Sequence, residues 1–269
     1  MLAIKSNLMA MNAARHLGQS YDSLAKSVER LSSGLRINSA KDDAAGLAVS
    51  ESMKADTAVL QQGVRNAQDG VSMLQTMEGA MGTVDSVLVR LKQLAEQAAT
   101  GSYSTAQRAI MNSEFGEMAS EIERIATSTS FNGIKMLDNS ATVTIHFGGS
   151  NDYIDITGSK MTKAGLGIST VGISTAASAK AALGTLDSAI STKDTARAKF
   201  GYKMNRLEST VEVLNIQAEN VAASESRVSD VDVATEMATM TRSQVLANAG
   251  VAMLAQANTM PQMALTLLR

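Results

Sequence analysis

Few residues in this chain have side chains that could do covalent chemistry. His16 and His146 are its two histidines, and they fall in different predicted elements. A metal ion bound by imidazole needs further ligands converging on the same point, and neither histidine has such neighbours in sequence. Cysteine is absent, which removes thiolate ligands, disulfides and a sulfur nucleophile together. Asp42 and Asp43 are adjacent carboxylates in a polar connector. Paired acid–base carboxylates must instead flank the bond they cleave, so Asp42 and Asp43 read as solvated or helix-start charges. No nucleophile elbow, phosphate-binding glycine loop, dinucleotide fingerprint or HExxH helix occurs. No catalytic residue, no metal site and no cofactor is expected. The chain does not read as an enzyme.

Composition points to helices that pack on helices. Aromatic residues make up 3% of the chain, tryptophan is absent, and there is one proline. Bulky aromatic anchors are therefore scarce, while long helices can run without a break. The formal net charge is −2, without a long basic run. Nucleic-acid binding wants clustered Lys and Arg with stacking platforms, so it is not expected. The N-terminal residues lack the continuous apolar run of a secretory signal peptide, so any export is expected to use a route that cleaves none.

The strongest pattern lies in residues 243–268, a segment without a charge. Ser243, Gln244, Asn248, Gln256, Asn258, Thr259, Gln262 and Thr266 interrupt it with polar groups, which would be costly in lipid. A membrane span is not expected. Leu246, Met253, Met260 and Leu267 are seven apart, and Gly250, Ala257 and Ala264 repeat between them. Their combined steps of 4 and 3 make one heptad stripe of alternating large and small residues. Two partners would satisfy it: the chain's own core, or a helix of another copy. Ile4, Leu8 and Met11 carry the same steps near the start, so both ends are candidates for polymerisation. A lone amphipathic helix has nothing to bury its stripe against and should be poorly ordered until a partner arrives.

Between the ends, Leu17, Tyr21, Leu24, Val28, Leu31 and Leu35 predict a helix closing near Ser33-Gly34. A polar connector, RINSAKDDAAGLAVSESM, follows. Leu60 through Ala98 keep a 3/4 alternation that predicts a helix of about 60 Å. Ser104 and Gln107 suit a capping box opening a helix with Ile110, Met118, Ile122 and Ile125, and Asn132-Gly133 marks a turn. Val143, Ile145 and Phe147 alternate with polar residues, and Tyr153–Ile156 supplies a return strand. Helix resumes near 177, and SESRVSD reads as a break before the last helix. The expected fold is mainly α, a long antiparallel helical bundle or coiled-coil rod of paired N- and C-terminal halves with a small β-hairpin in the middle.

ERLSSGLRINSAKDDAAGLAVSESM (29–53), FNGIKML (131–137) and ENVAASESRVSDVDVATEMATMTRSQVLANAGVAMLAQAN (219–258) resemble bacterial flagellin, the subunit of the flagellar filament. The resemblance implies inner coiled-coil segments at 1–40 and 230–269 and a helical core domain at 41–229, with its hairpin near 140–158. It implies a secreted, extracellular protein that polymerises with itself and meets the flagellar export chaperone, hook-associated proteins and cap protein. It also implies a contact with a host Toll-like receptor. VRLKQLAEQ (89–97) is similar to the recognised segment, with Arg90 and Leu94 at matching positions and Glu114 on the next helix. Val89 and Gln93 depart from that pattern. Two other readings stay open: a hook–filament junction protein, and an amphipathic membrane-active protein secreted by a type III apparatus.

Overall fold

Heptad-spaced apolar residues wind into five helices among the described residues, joined by one antiparallel hairpin. The computed structural model describes residues 7–149 and 151–267, with the side chains of 261–267 excepted. The elements run α1 (Leu8–Ser33), α2 (Ala44–Ala99), α3 (Thr105–Ser128), β1 (Thr142–His146), β2 (Tyr153–Thr157), α4 (Ala176–Ser229) and α5 (Val233–Leu267). Two compact units result: Met1–Thr57 with Asn220–Arg269, and Ala58–Glu219. The units divide inside α2 and α4. Both helices carry on unbroken while their packing partners change.

The unit Ala58–Glu219 holds the hydrophobic core. Leu74, Met77, Met81, Val84, Leu88, Leu91, Ala95 and Ala98 form the buried stripe of α2. Phe115 and Ile122 of α3 and Leu186, Phe200 and Leu207 of α4 close over it. Lys92–Asp187 at 2.6 Å, Asp85–Lys193 at 2.5 Å and Glu78–Arg197 at 3.0 Å show α2 and α4 running antiparallel. Lys193 is buried, and its ammonium also meets Asp194 at 2.6 Å. Burial pushes its pKa down, but the carboxylates of Asp194 and Asp85 more than reverse this and leave it raised. Desolvation of such an ion is costly, so both carboxylates are needed to keep it inside.

α3 opens on the expected capping box: the Ser104 hydroxyl accepts from the Gln107 N–H, and the Gln107 side chain accepts from the Ser104 N–H at 2.8 Å. Asn132 and Gly133 take positive φ in a tight turn bridging Phe131 and Ile134. In the hairpin Val143 pairs with Ile156 and Ile145 with Ile154. Its inner face buries Ile154, Ile156 and Phe147.

Two features differ from the sequence expectation. The connector after α1 is shorter than predicted, because α2 begins at Ala44. SESRVSD is no break, since α4 continues to Ser229. Its hydroxyls find partners without leaving the helix: Ser224 donates to the Asn220 carbonyl at 2.8 Å and Ser229 to the Glu225 carboxylate at 2.6 Å.

Hairpin and α2 approach too closely for a side chain at Gly63. A Cβ there would lie 2.1 Å from the Phe147 carbonyl oxygen, while Asn66 donates to the His146 carbonyl at 2.9 Å. In an open helix, Gly→Ala stabilises by about 0.5–1 kcal/mol. At Gly63 the clash with backbone wins, and Gly63→Ala should destabilise the protein by about 1–3 kcal/mol. Gly82→Ala, with nothing within 4 Å, should raise the melting temperature. Thermal unfolding of both variants checks this; equal rises would mean the hairpin does not press on α2.

Candidate functional site

The terminal helices are set up by local signals at three of their ends. The Asn7 side chain caps α1 by accepting from the Ala10 N–H at 3.1 Å. α1 stops at Gly34, whose φ of 74° suits glycine and whose N–H donates to the Arg30 carbonyl at 2.9 Å. Asp232 starts α5 by accepting from the Ala234 N–H at 3.0 Å and the Thr235 hydroxyl at 2.6 Å. The Thr235 hydroxyl, then the Thr235 and Ala234 N–H groups, hold its carboxyl below the usual range.

α1 lies antiparallel on α5. Asn7 donates to the Ala257 carbonyl at 2.7 Å near one end. At the other end Ser27 donates to Glu236 at 2.5 Å, and Arg30 stands 3.5 Å from the same carboxylate. Between them Leu17 sits 3.1 Å from where a Cβ on Gly250 would be. The seam on α5 is Ser243, Ala247, Gly250, Leu254 and Ala257, in steps of 4 and 3. Its members are mostly small, which is what lets two backbones come close.

The expected stripe straddles the edge of this seam. Gly250 and Ala257 turn toward α1, with Ala257 8% exposed. Leu246 and Met253 stand outside it at 53% and 64% exposed, and Met260 is also exposed. At 3.6 residues per turn, the large members are rotated about 60–100° from the seam's centre. α1 divides the same way: Leu17, Leu24 and Leu31 are half-buried, whereas Leu8, Met11, Tyr21 and Val28 are exposed. So the two partners that sequence left open are divided between small and large residues: the small ones meet the chain's own α1. Each helix covers one stripe of the other and leaves a second uncovered. Ile4 lies outside the described residues, as do the side chains of Ala264 and Leu267.

A groove of about 390 Å³ opens along this pair, lined by His16, Gln19, Ser20, Ser23, Ser243 and Leu246. His16 serves as groove wall, and His146 packs against Tyr153 with ring centroids 5.5 Å apart. Among the described residues no group of His, Asp and Glu could hold a metal ion, and no helix is long and apolar enough to cross a membrane.

In the unit Ala58–Glu219, Arg90 makes two hydrogen bonds to Glu114, at 2.6 and 3.0 Å, on the exposed surface between α2 and α3. Leu94 is not beside them at the surface. It is 1% exposed and belongs to the core, because its position continues the buried stripe of α2. The VRLKQLAEQ segment thus presents Val89, Arg90 and Gln93 and hides Leu94.

Paired terminal helices with uncovered apolar rows are the features of a protein built to associate. Comparison with known proteins gives the family. Residues 4–142 match the bacterial flagellin N-terminal helical region and residues 183–268 the bacterial flagellin C-terminal helical region. The chain is 41% identical over 272 residues to a flagellin of Halalkalibacterium halodurans, and both chains are covered completely. It is 42% identical over 290 residues to the flagellar filament 33 kDa core protein of Treponema phagedenis, again with both covered completely. The crystal structure of Bacillus cereus flagellin superposes with a TM-score of 0.50 at 31% identity, covering 60% of this chain and 94% of that one. A flagellar hook-associated protein structure from Vibrio parahaemolyticus shares the fold at a TM-score of 0.59 and 13% identity, covering 70% of this chain and 100% of that one. The chain belongs to the bacterial flagellin family. It is a structural subunit that self-polymerises into the extracellular flagellar filament, not an enzyme.

Acid should loosen the unit of α1 and α5 through Asp42. Its carboxylate meets Lys26 at 2.8 Å and accepts from the Ser39 hydroxyl at 3.2 Å. Lys26, against an opposing effect of burial and with help from Ser39 and the Asn38 N–H, lowers its pKa from 3.8 to about 2. A depressed folded-state pKa gives stability that is full above the unfolded value and disappears as pH falls through the folded one. Asp42→Asn should therefore be less stable than wild type at pH 6 and match it near pH 2. Urea unfolding across that range measures the difference; a gap independent of pH would rule out this role for Asp42.

Proposed function

We propose that filament assembly runs through the exposed apolar rows of the terminal helices, Leu8 and Met11 on α1 and Leu246, Met253 and Met260 on α5. Ile4, Ala264 and Leu267 continue the same heptads in sequence. The observation carrying this reading is the division of the α5 stripe, with Ala257 buried within the chain and Leu246 and Met253 left uncovered. Covering one such side chain stabilises by about 1.5–3 kcal/mol, and a helical polymer repeats the gain in every subunit. The seam residues Gly250 and Ala257 then act earlier, by holding α1 and α5 in the arrangement that displays the row.

On the same reading the subunit leaves the cell without a cleaved signal peptide. Its partners beyond itself are the flagellar export chaperone, hook-associated proteins and cap protein. A host Toll-like receptor would meet Arg90 and Glu114 at the surface, with Leu94 supporting them from beneath.

Replacing Leu246 and Met253 together with Ser should abolish filament formation on ammonium sulfate seeding while leaving the subunit's melting temperature nearly unchanged. Ala257→Leu should do the reverse first, lowering subunit stability by about 1–3 kcal/mol through overpacking against α1. Sedimentation of seeded filaments and thermal unfolding of the subunit are measured for both. Normal filaments from the double Ser variant would overturn the assignment of these residues.

A further inference from the structure

The methionines sort by unit. Met73, Met77, Met81, Met111, Met136 and Met161 are buried in the unit Ala58–Glu219. The exposed ones among the described residues are Met9, Met11, Met237, Met253 and Met260, all on α1 or α5. Met9, Met11 and Met253 are each about two-thirds exposed. Burial shields a thioether from oxidants in water and exposure does not, so one oxidant would meet two populations in the same molecule.

We propose that the exposed thioethers of α1 and α5 form an oxidant-responsive modification site that turns off assembly of the free subunit. The oxidant is a two-electron one, hydrogen peroxide. A sulfur lone pair attacks a peroxide oxygen, the O–O bond breaks, and the second oxygen leaves as water after proton transfer. The sulfur is oxidised to the sulfoxide by two electrons and the peroxide is reduced. The flexible apolar side chain becomes a polar one with a strong acceptor. In an interface of Leu, Val and Met rows that acceptor has no donor, and burying it is unfavourable. The subunit's own fold is spared, because the core methionines are out of reach. This inference rests on the assembly role proposed for the rows that hold Met11, Met253 and Met260. It adds a direction: once a filament covers the rows, the sulfurs are shielded, so oxidation acts before incorporation.

The test uses full-length subunits treated with hydrogen peroxide, mapped for added oxygen by peptide mass spectrometry, then seeded and sedimented. Oxygen should appear first at Met9, Met11 and Met253, with the melting temperature nearly unchanged. The critical concentration for assembly should rise at least tenfold, equivalent to about 1.4 kcal/mol per subunit. Methionine sulfoxide reductases A and B should restore it. A variant carrying Met9→Leu, Met11→Leu, Met237→Leu, Met253→Leu and Met260→Leu should keep its own critical concentration, whatever that value, unchanged by treatment, and preformed filaments should survive the same dose. Oxidised subunits that assemble at an unchanged critical concentration would overturn the inference, as would loss of assembly in the treated Leu variant. Failure of untreated wild-type subunits to assemble would instead strike the underlying assembly reading, and shows in the control alone.

Discussion

How closely α1 and α5 approach decides what the terminal unit can do. Gly250 leaves room for Leu17, and Ala247 and Ala257 keep the rest of the contact shallow. A close contact between two helices can cover only one stripe on each. Both helices carry more apolar residues than one stripe holds, so the surplus must stand at the flank. A larger residue on the seam would push the helices apart and shift which side chains are covered. The exposed row is therefore a consequence of the small residues beside it, rather than an independent feature.

Polar contacts keep that seam in register. A seam of Ala, Gly and Ser specifies alignment weakly, since sliding by a heptad would bring similar residues together. Ser27 and Arg30 on Glu236, with Asn7 on the Ala257 carbonyl, remove this freedom because a slip would strand a partly buried carboxylate. In the other unit Lys193 plays the same part between Asp85 and Asp194. With few aromatic anchors, both units take their register from single polar groups placed in apolar seams.

Much of this was legible in sequence because helix periodicity and capping are local. The α2 stripe, the Ser104–Gln107 box, the Gly34 stop and the two strands of the hairpin all follow from residues close together in the chain. The heptad stripe of α5 was legible as a pattern but not as a direction. Steps of 4 and 3 define a band about a quarter-turn wide, and only the position of α1 decides which edge is inside. Leu94 shows the same limit: its neighbours Arg90 and Gln93 are exposed, and its burial depends on what covers α2. Gly63 was missed because a glycine within a helix carries no local signal of a distant carbonyl. SESRVSD was misread because serines that favour breaks can also bond within a helix, and Ser224 and Ser229 do so.

The two units thus end folding in different conditions. Ala58–Glu219 encloses its large side chains, among them Phe115, Phe147 and Phe200, and pairs its buried lysine with two carboxylates. It needs nothing further to satisfy those groups. The unit of α1 and α5 pairs Asn7 and Ser27 across the seam, leaves the buried Arg30 Nε without a partner among the described residues, and keeps Leu8, Met11, Leu246 and Met253 in water. Since uncovered rows of this kind gain free energy from a further helix, each unit has a separate task. One encloses its own core, and the other leaves the apolar rows through which we propose the polymer is built.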